Sequence, residues 1–183
     1  GHLMRGKVDM DHVALIGHSR GGEAVAVAAA FNQLHRYPDD ATLEFDFGFE
    51  LDGVIAIAPV DGQYKPRESG TPIKDVNYFT IHGSMDGDVQ SFMGTQQYSR
   101  VTFSDAVNAD DFYFKSSLYL LGANHGQFNS SWGRLDIPKF WSWVLNTDEI
   151  MNPEEQRQVA KVYFSAFLEV VLRNRHEYLA LFT

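Results

Sequence analysis

The sequence predicts an α/β fold, a mostly parallel sheet flanked by helices. Three observations carry that expectation: short continuous apolar runs recur along the chain, each closes in small or polar residues, and helical patterns lie between them. A content of 44% hydrophobic and 14% aromatic residues over 183 positions is enough for one domain with a real core.

The first apolar run is Val13-Ala-Leu-Ile16, continuous as expected of a parallel strand buried on both faces. It runs into Gly17-His18-Ser19-Arg20-Gly21-Gly22, and residues 23–31 are rich in Ala, a strong helix former. Tyr37-Pro38-Asp39-Asp40 breaks the pattern, and Val54-Ile-Ala-Ile-Ala58, ending at Pro59, is the second buried strand. Tyr78-Phe-Thr-Ile81 is the third, closing at His82-Gly83, and Ser117-Leu-Tyr-Leu-Leu121 is the fourth, closing at Gly122. Asn152-Pro153-Glu154-Glu155 supplies an N-cap, a first-turn proline and a glutamate placed for a capping box, so a long helix starts there. Its residues Val159, Val162, Tyr163, Ala166, Phe167, Val170 and Val171 recur at three- and four-residue steps and form a stripe facing the core. No repeat or low-complexity segment interrupts this order, and residues 5–183 read as one domain. Gly1 to Met4 reads as an expression-tag remnant.

Composition narrows the partners. Fifteen Lys and Arg against 24 Asp and Glu give a formal net charge of −9, unfavourable for a polyanion, so nucleic acid is not expected. Every apolar run is broken well short of the ~20 residues needed to cross a bilayer, so no membrane span is expected. The absence of cysteine excludes a disulfide framework and a thiolate metal site, and fits a cytosolic or a secreted protein equally.

In a sheet of this kind ligands sit at the carboxyl ends of the strands, which directs attention to the residues just after each run. A Gly-x-Ser-x-Gly turn between a buried strand and a helix forces the serine backbone into strain and lifts its hydroxyl clear of the sheet, and only small neighbours allow it. Gly17, Gly21 and Gly22 are read as those neighbours, and Ser19 as a nucleophile. A serine hydroxyl needs an imidazole to take its proton and a carboxylate to fix that imidazole's tautomer. His125, in Gly122-Ala-Asn-His125-Gly126 beyond the fourth strand, is the candidate base. Asp86, a few residues after the third strand, is the candidate acid, with Asp88 and Asp61 as alternatives; Asp61 reads as a turn residue before Gly62. His82 and His18 read as hydrogen-bonded structural residues, His35 and His176 as surface residues, and His12 lies at the wrong end of its strand for chemistry. Asp86 and Asp88 lack the remaining ligands of a calcium loop, so neither a metal nor any other cofactor is implied. The backbone N–H of Arg20 is the expected oxyanion donor, and its side chain either meets an anionic substrate group or pairs with Glu23.

With Gly-His-Ser-Arg-Gly-Gly, His82-Gly-x-x-Asp86 and Gly122-Ala-Asn-His125 in this order, the chain from Arg5 to Thr183 resembles the C-terminal half of an α/β-hydrolase. The arginine after the serine is similar to that of chlorophyllase-like, dienelactone-hydrolase-like and platelet-activating-factor-acetylhydrolase-like esterases. The resemblance implies Ser19 as nucleophile, Asp86 as acid and His125 as base. It also implies further strands upstream, one of which would bring the second oxyanion donor. Two features depart from the family: those strands are missing, and segment 90–115 between acid and last strand is long.

Trp132, Phe140, Trp141 and Trp143 follow the candidate base and either line an acyl or aryl pocket or cover the sheet. Two functions are therefore expected. The first is a serine hydrolase acting on a small-molecule carboxylic ester, with amide or peptide cleavage by the same triad as a variant. The second is a catalytically incomplete module that associates, as a homo-oligomer or with a complementing N-terminal segment, along the exposed Val13 to Ile16 edge.

Overall fold

A computed structural model of the chain describes residues 6–64, 72–89, 93–104, 112–131 and 150–183. In chain order the elements are β1 (Val13–His18), α1 (Arg20–Phe31), β2 (Arg36–Tyr37), β3 (Asp40–Glu44), β4 (Leu51–Ile57), β5 (Ile73–Lys74), β6 (Asn77–Gly83), α2 (Met93–Arg100), β7 (Val101–Thr102), β8 (Lys115–Leu120) and α3 (Pro153–Arg173). Short 3-10 turns follow β8 at Gly126–Phe128 and α3 at His176–Leu181. The four strands expected from the apolar runs form one sheet in the order β1-β4-β6-β8, and all three pairings are parallel. Four carboxyl ends therefore share one edge of the sheet.

The continuous apolar character of β4 and β6 follows from burial on both faces. Val54 and Ala56 of β4 and Tyr78 of β6 pack with Ala26, Ala29 and Ala30 of α1 on one side. Ile55, Ile57, Phe79 and Ile81 pack with Phe167, Val170 and Val171 of α3 on the other. Alanines let α1 approach closely, and Gly53 does the same for α3, because a Cβ there would lie 2.8 Å from the Phe167 ring. The Asn152 side chain accepts the Glu154 N–H at 2.8 Å and starts α3 as its sequence implies. The stripe on α3 needs one correction: Val162 is 43% exposed. The buried line runs through Gln156, Ala160, Ala166, Phe167, Val170 and Val171, which leaves Val162 on the outer side.

Several elements are additional to those expected. Pro38-Asp39 is the turn of a small antiparallel hairpin, with β2 paired to β3. Segment 90–115 contains α2 and β7, and β7 pairs with β5 in a two-stranded parallel sheet. Among the described residues β1 is an edge strand with β4 as its neighbour, and Ile16 on it is 49% exposed, so the burial on both faces expected of this run does not hold. Gly1 to Met4 and the tryptophan-rich stretch with Trp132, Phe140, Trp141 and Trp143 lie outside the described residues.

Candidate active site

Ser19 stands between the last residue of β1 and the first of α1 with φ 59° and ψ −119°, a conformation that a side-chain-bearing residue adopts only under constraint. The constraint is visible in its backbone. Ser19 N–H donates to the Ile57 carbonyl at 2.8 Å, and the Ser19 carbonyl accepts from Gly22 N–H at 3.0 Å and Val60 N–H at 3.2 Å. A Cβ on Gly17 would overlap the Gly21 carbonyl, and one on Gly22 would lie 2.7 Å from the Pro59 Cβ. Gly21 corrects the expectation: a Cβ there meets nothing within 4 Å, since the atom that crowds Gly17 is a backbone oxygen that any residue would carry. A second strained residue, Ala58 with φ 40°, lies beside the first, and its N–H donates to Ile81. Arg20 opens α1, so its N–H belongs to the first-turn donors that have no acceptor within the helix.

Asp86 follows β6 and His125 follows β8. His125 Nδ1 and Asp86 Oδ2 are 2.8 Å apart, with side chains 1% and 5% exposed. The other Asp86 oxygen accepts the Asp88 N–H at 2.9 Å and the Val89 N–H at 2.7 Å. Those donors orient the carboxylate, and its partner contact places the imidazole proton on Nδ1, leaving Nε2 as the proton acceptor. Among the three candidate acids, Asp86 is thus the one joined to His125. Asp88 contributes its backbone N–H to Asp86. Asp61 is held by the Arg100 guanidinium through two contacts, 2.6 and 3.0 Å long. It is an ion-pair residue after β4 rather than a simple turn residue.

The two loops are tied to each other and to α3. Met85 N–H donates to the Ala123 carbonyl at 2.8 Å, and Gly122 N–H donates to Ser84 Oγ at 2.7 Å. Asn124 and Gln156 exchange two bonds in the manner of a strand pair. Asn124 N–H donates to Gln156 Oε1 at 3.1 Å, and Gln156 Nε2 donates to the Asn124 carbonyl at 2.8 Å. Asn124 Oδ1 also accepts the Gln127 N–H at 2.9 Å, closing the turn that carries His125. Neither Ser84 nor Gln156 stood out in the sequence. The signal for Gln156 was its register, one turn before Ala160 on the buried line of α3.

The remaining candidates fall elsewhere. His35 and His176 are exposed, and His12 lies 3.6 Å from Asp52 at the amino end of β1. His82 is buried, with Nε2 3.2 Å from Thr80 Oγ1, and burial pushes its pKa down. His18 Nε2 is 3.1 Å from the His125 carbonyl oxygen, and its pKa is lowered to about 4, first by burial and then by the neighbouring His125. The Arg20–Glu23 pair does not form. Glu23 turns inward, 1% exposed, and accepts the N–H groups of Gly62, Gln63 and Tyr64 at 2.6 to 3.1 Å, while Arg20 faces solvent. Glu23 thereby fixes the loop after β4 against α1, on the side where Val60 grips Ser19.

A cavity of about 650 Å³ opens near Leu51, Asp52 and Asn77, at the amino ends of the strands. It is on the opposite side of the sheet from Ser19, Asp86 and His125. Among the described residues, no group of three His, Cys, Asp or Glu side chains is placed to hold a metal ion. No protein-family model matches the chain, and no curated protein matches it.

Proposed function

We propose that this chain is a serine hydrolase of the α/β-hydrolase type that cleaves carboxylic esters. The observation that carries the reading is a buried, hydrogen-bonded Asp86–His125 pair at the same sheet edge as the strained Ser19. Each member follows a different parallel strand, in the order nucleophile, acid, base that this chemistry takes in such folds.

In the proposed reaction Ser19 Oγ attacks the ester carbonyl carbon as His125 Nε2 takes the hydroxyl proton. Asp86 stays ionised and stabilises the imidazolium through Nδ1–H. The carbonyl oxygen gathers negative charge and accepts the Arg20 N–H. Collapse breaks the ester C–O bond, and the departing alkoxide receives the proton from His125. Water then repeats the cycle, giving its proton to His125 and its hydroxide to the acyl carbon, and Ser19 leaves with the proton. Hydrolysis of p-nitrophenyl acetate by the chain and by Ser19→Ala tests the proposal. Turnover that vanishes in the alanine variant supports it, and equal rates in both sink it. The matched p-nitroanilide separates ester from amide preference.

A second reading has its own observation. Among the described residues β1 is an edge strand with a half-exposed Ile16, and exposed apolar edges invite a further strand. Association along this edge, with another copy or with a complementing segment, is proposed alongside the chemistry. Light scattering tests the homo-oligomer directly, with a concentration-independent monomer as the contrary result.

A further inference from the structure

His125 sits on the loop after β8, whereas Ser19 follows β1, and among the described residues these strands are the two outer members of the sheet. Three strand spacings of about 4.8 Å separate them, so the base loop must cross roughly 14 Å of sheet to serve the nucleophile. Asp86, Ser84 and Gln156 tie that loop to β6 and α3, but none of them ties it to β1.

His18 makes that connection. It is the residue before Ser19, and along β1 its side chain points to the opposite face from Gly17, which is crowded by α1. There its Nε2 lies 3.1 Å from the His125 carbonyl oxygen, and its ring lies 4.6 Å from the His125 ring, centroid to centroid, tilted by 34°. Phe128 meets the His18 ring edge-on at 6.2 Å. A carbonyl can only accept, so the His18 proton is on Nε2.

We infer that His18 is a positioning residue for the base: its Nε2–H holds the His125 backbone, and its ring supports the His125 imidazole, at a distance set by one peptide bond from the nucleophile. This rests on the reading of His125 as base and Ser19 as nucleophile. The role requires a neutral ring, because a charged one would oppose the imidazolium formed in each turnover. Burial and His125 both disfavour the charged form, while Asp86, Asp88 and the bond to the His125 carbonyl act the other way. The balance leaves His18 neutral above about pH 4.

The test compares His18→Phe, which keeps an aromatic ring and removes the donor, with His18→Gln, whose amide places an N–H where Nε2 was. His18→Met supplies the donorless arm if the phenylalanine variant does not fold. Two quantities are read: the rate of fluorophosphonate labelling of Ser19, and the downfield proton resonance of His125 Nδ1–H with its solvent exchange. An ångström of misplacement costs on the order of 100-fold in rate, so the donorless variant is expected to label roughly 10- to 100-fold more slowly. Its Nδ1–H should exchange faster, and glutamine should restore both toward wild type. Unchanged labelling and exchange in the donorless variant overturn the inference. So does an equal loss in both variants that tracks a fall in Tm, which is what packing alone would produce. Wild-type protein that does not label at all refutes the nucleophile reading instead, and the exchange of the Nδ1–H then decides the role of His18 by itself.

Discussion

Replacing Asp86 by Asn changes almost nothing in shape and much in protonation. The amide oxygen can keep the Asp88 and Val89 N–H groups that Oδ1 now accepts at 2.9 and 2.7 Å. The amide nitrogen then faces His125 Nδ1 across 2.8 Å as a donor, and two donors cannot share that bond. The neutral imidazole must move its proton to Nε2, where it blocks the lone pair that should receive the Ser19 proton. A triad with the wrong tautomer loses about 10³- to 10⁴-fold in kcat, equivalent to about 4–5.5 kcal/mol at the transition state. The folded state loses one charged hydrogen bond, about 1.5–3 kcal/mol, or roughly 3–12 °C in Tm for a domain of this size. The assay is p-nitrophenyl ester hydrolysis at 25 °C, well below the melting transition, with Asp88→Asn and Asp61→Asn in parallel. Asp88→Asn should stay within about 10-fold of wild type, because Asp88 supports Asp86 through its backbone. A D86N enzyme within 10-fold of wild type would refute the reasoning.

Three further outcomes follow from the geometry. Gly17→Ala puts a methyl group onto the Gly21 carbonyl and should cost about 3 kcal/mol or more, seen as a large Tm loss or failure to fold; Gly21→Ala, with open space around it, should be far milder. Glu23→Gln keeps one oxygen for the Gly62, Gln63 and Tyr64 N–H groups but removes the charge they share and turns Oε2, which accepts from Gln63 at 3.0 Å, into a donor facing a donor; it should cost about 1–3 kcal/mol, measured by urea unfolding. The lowered His18 pKa makes the unfolded chain bind more protons than the folded one between pH 6.5 and about 4, so stability falls as the pH drops through that window. With solvent screening of a part-buried ring, His18 accounts for about 1 kcal/mol between pH 7.5 and 5. Urea midpoints of wild type and His18→Gln should therefore converge as the pH is lowered.

The inner strands β4 and β6 were legible because burial on both faces writes an uninterrupted apolar run, as in Val54 to Ala58. The strands β1 and β8 were found from shorter apolar runs, but the two-face burial expected of Val13 to Ile16 does not hold, since β1 is partly exposed and Ile16 is 49% exposed. The turn at Ser19 was legible because steric demand restricts Gly17 to one residue type. The hairpin was not, since all five residues of β3 are exposed and carry no alternation. The strands β5 and β7 span two residues each, too few for any period, and α2 is polar with Gln97 buried to accept the Tyr78 hydroxyl. In the site, Asp86 and His125 could be named from their places after strands, but their contact joins residues 39 apart. The partners of His18 and Gln156 are likewise set by tertiary packing, over 107 and 32 residues of sequence. Bonding potential is visible in a sequence; the identity of the partner is not.

The central claim is that Ser19 is an activated nucleophile. Incubating the chain with a fluorophosphonate and locating the adduct by peptide mass spectrometry tests it most directly. The account predicts a single adduct on Ser19, lost in Ser19→Ala and slowed by orders of magnitude in Asp86→Asn. A folded protein that takes up no label, or takes it up on another residue, would contradict it.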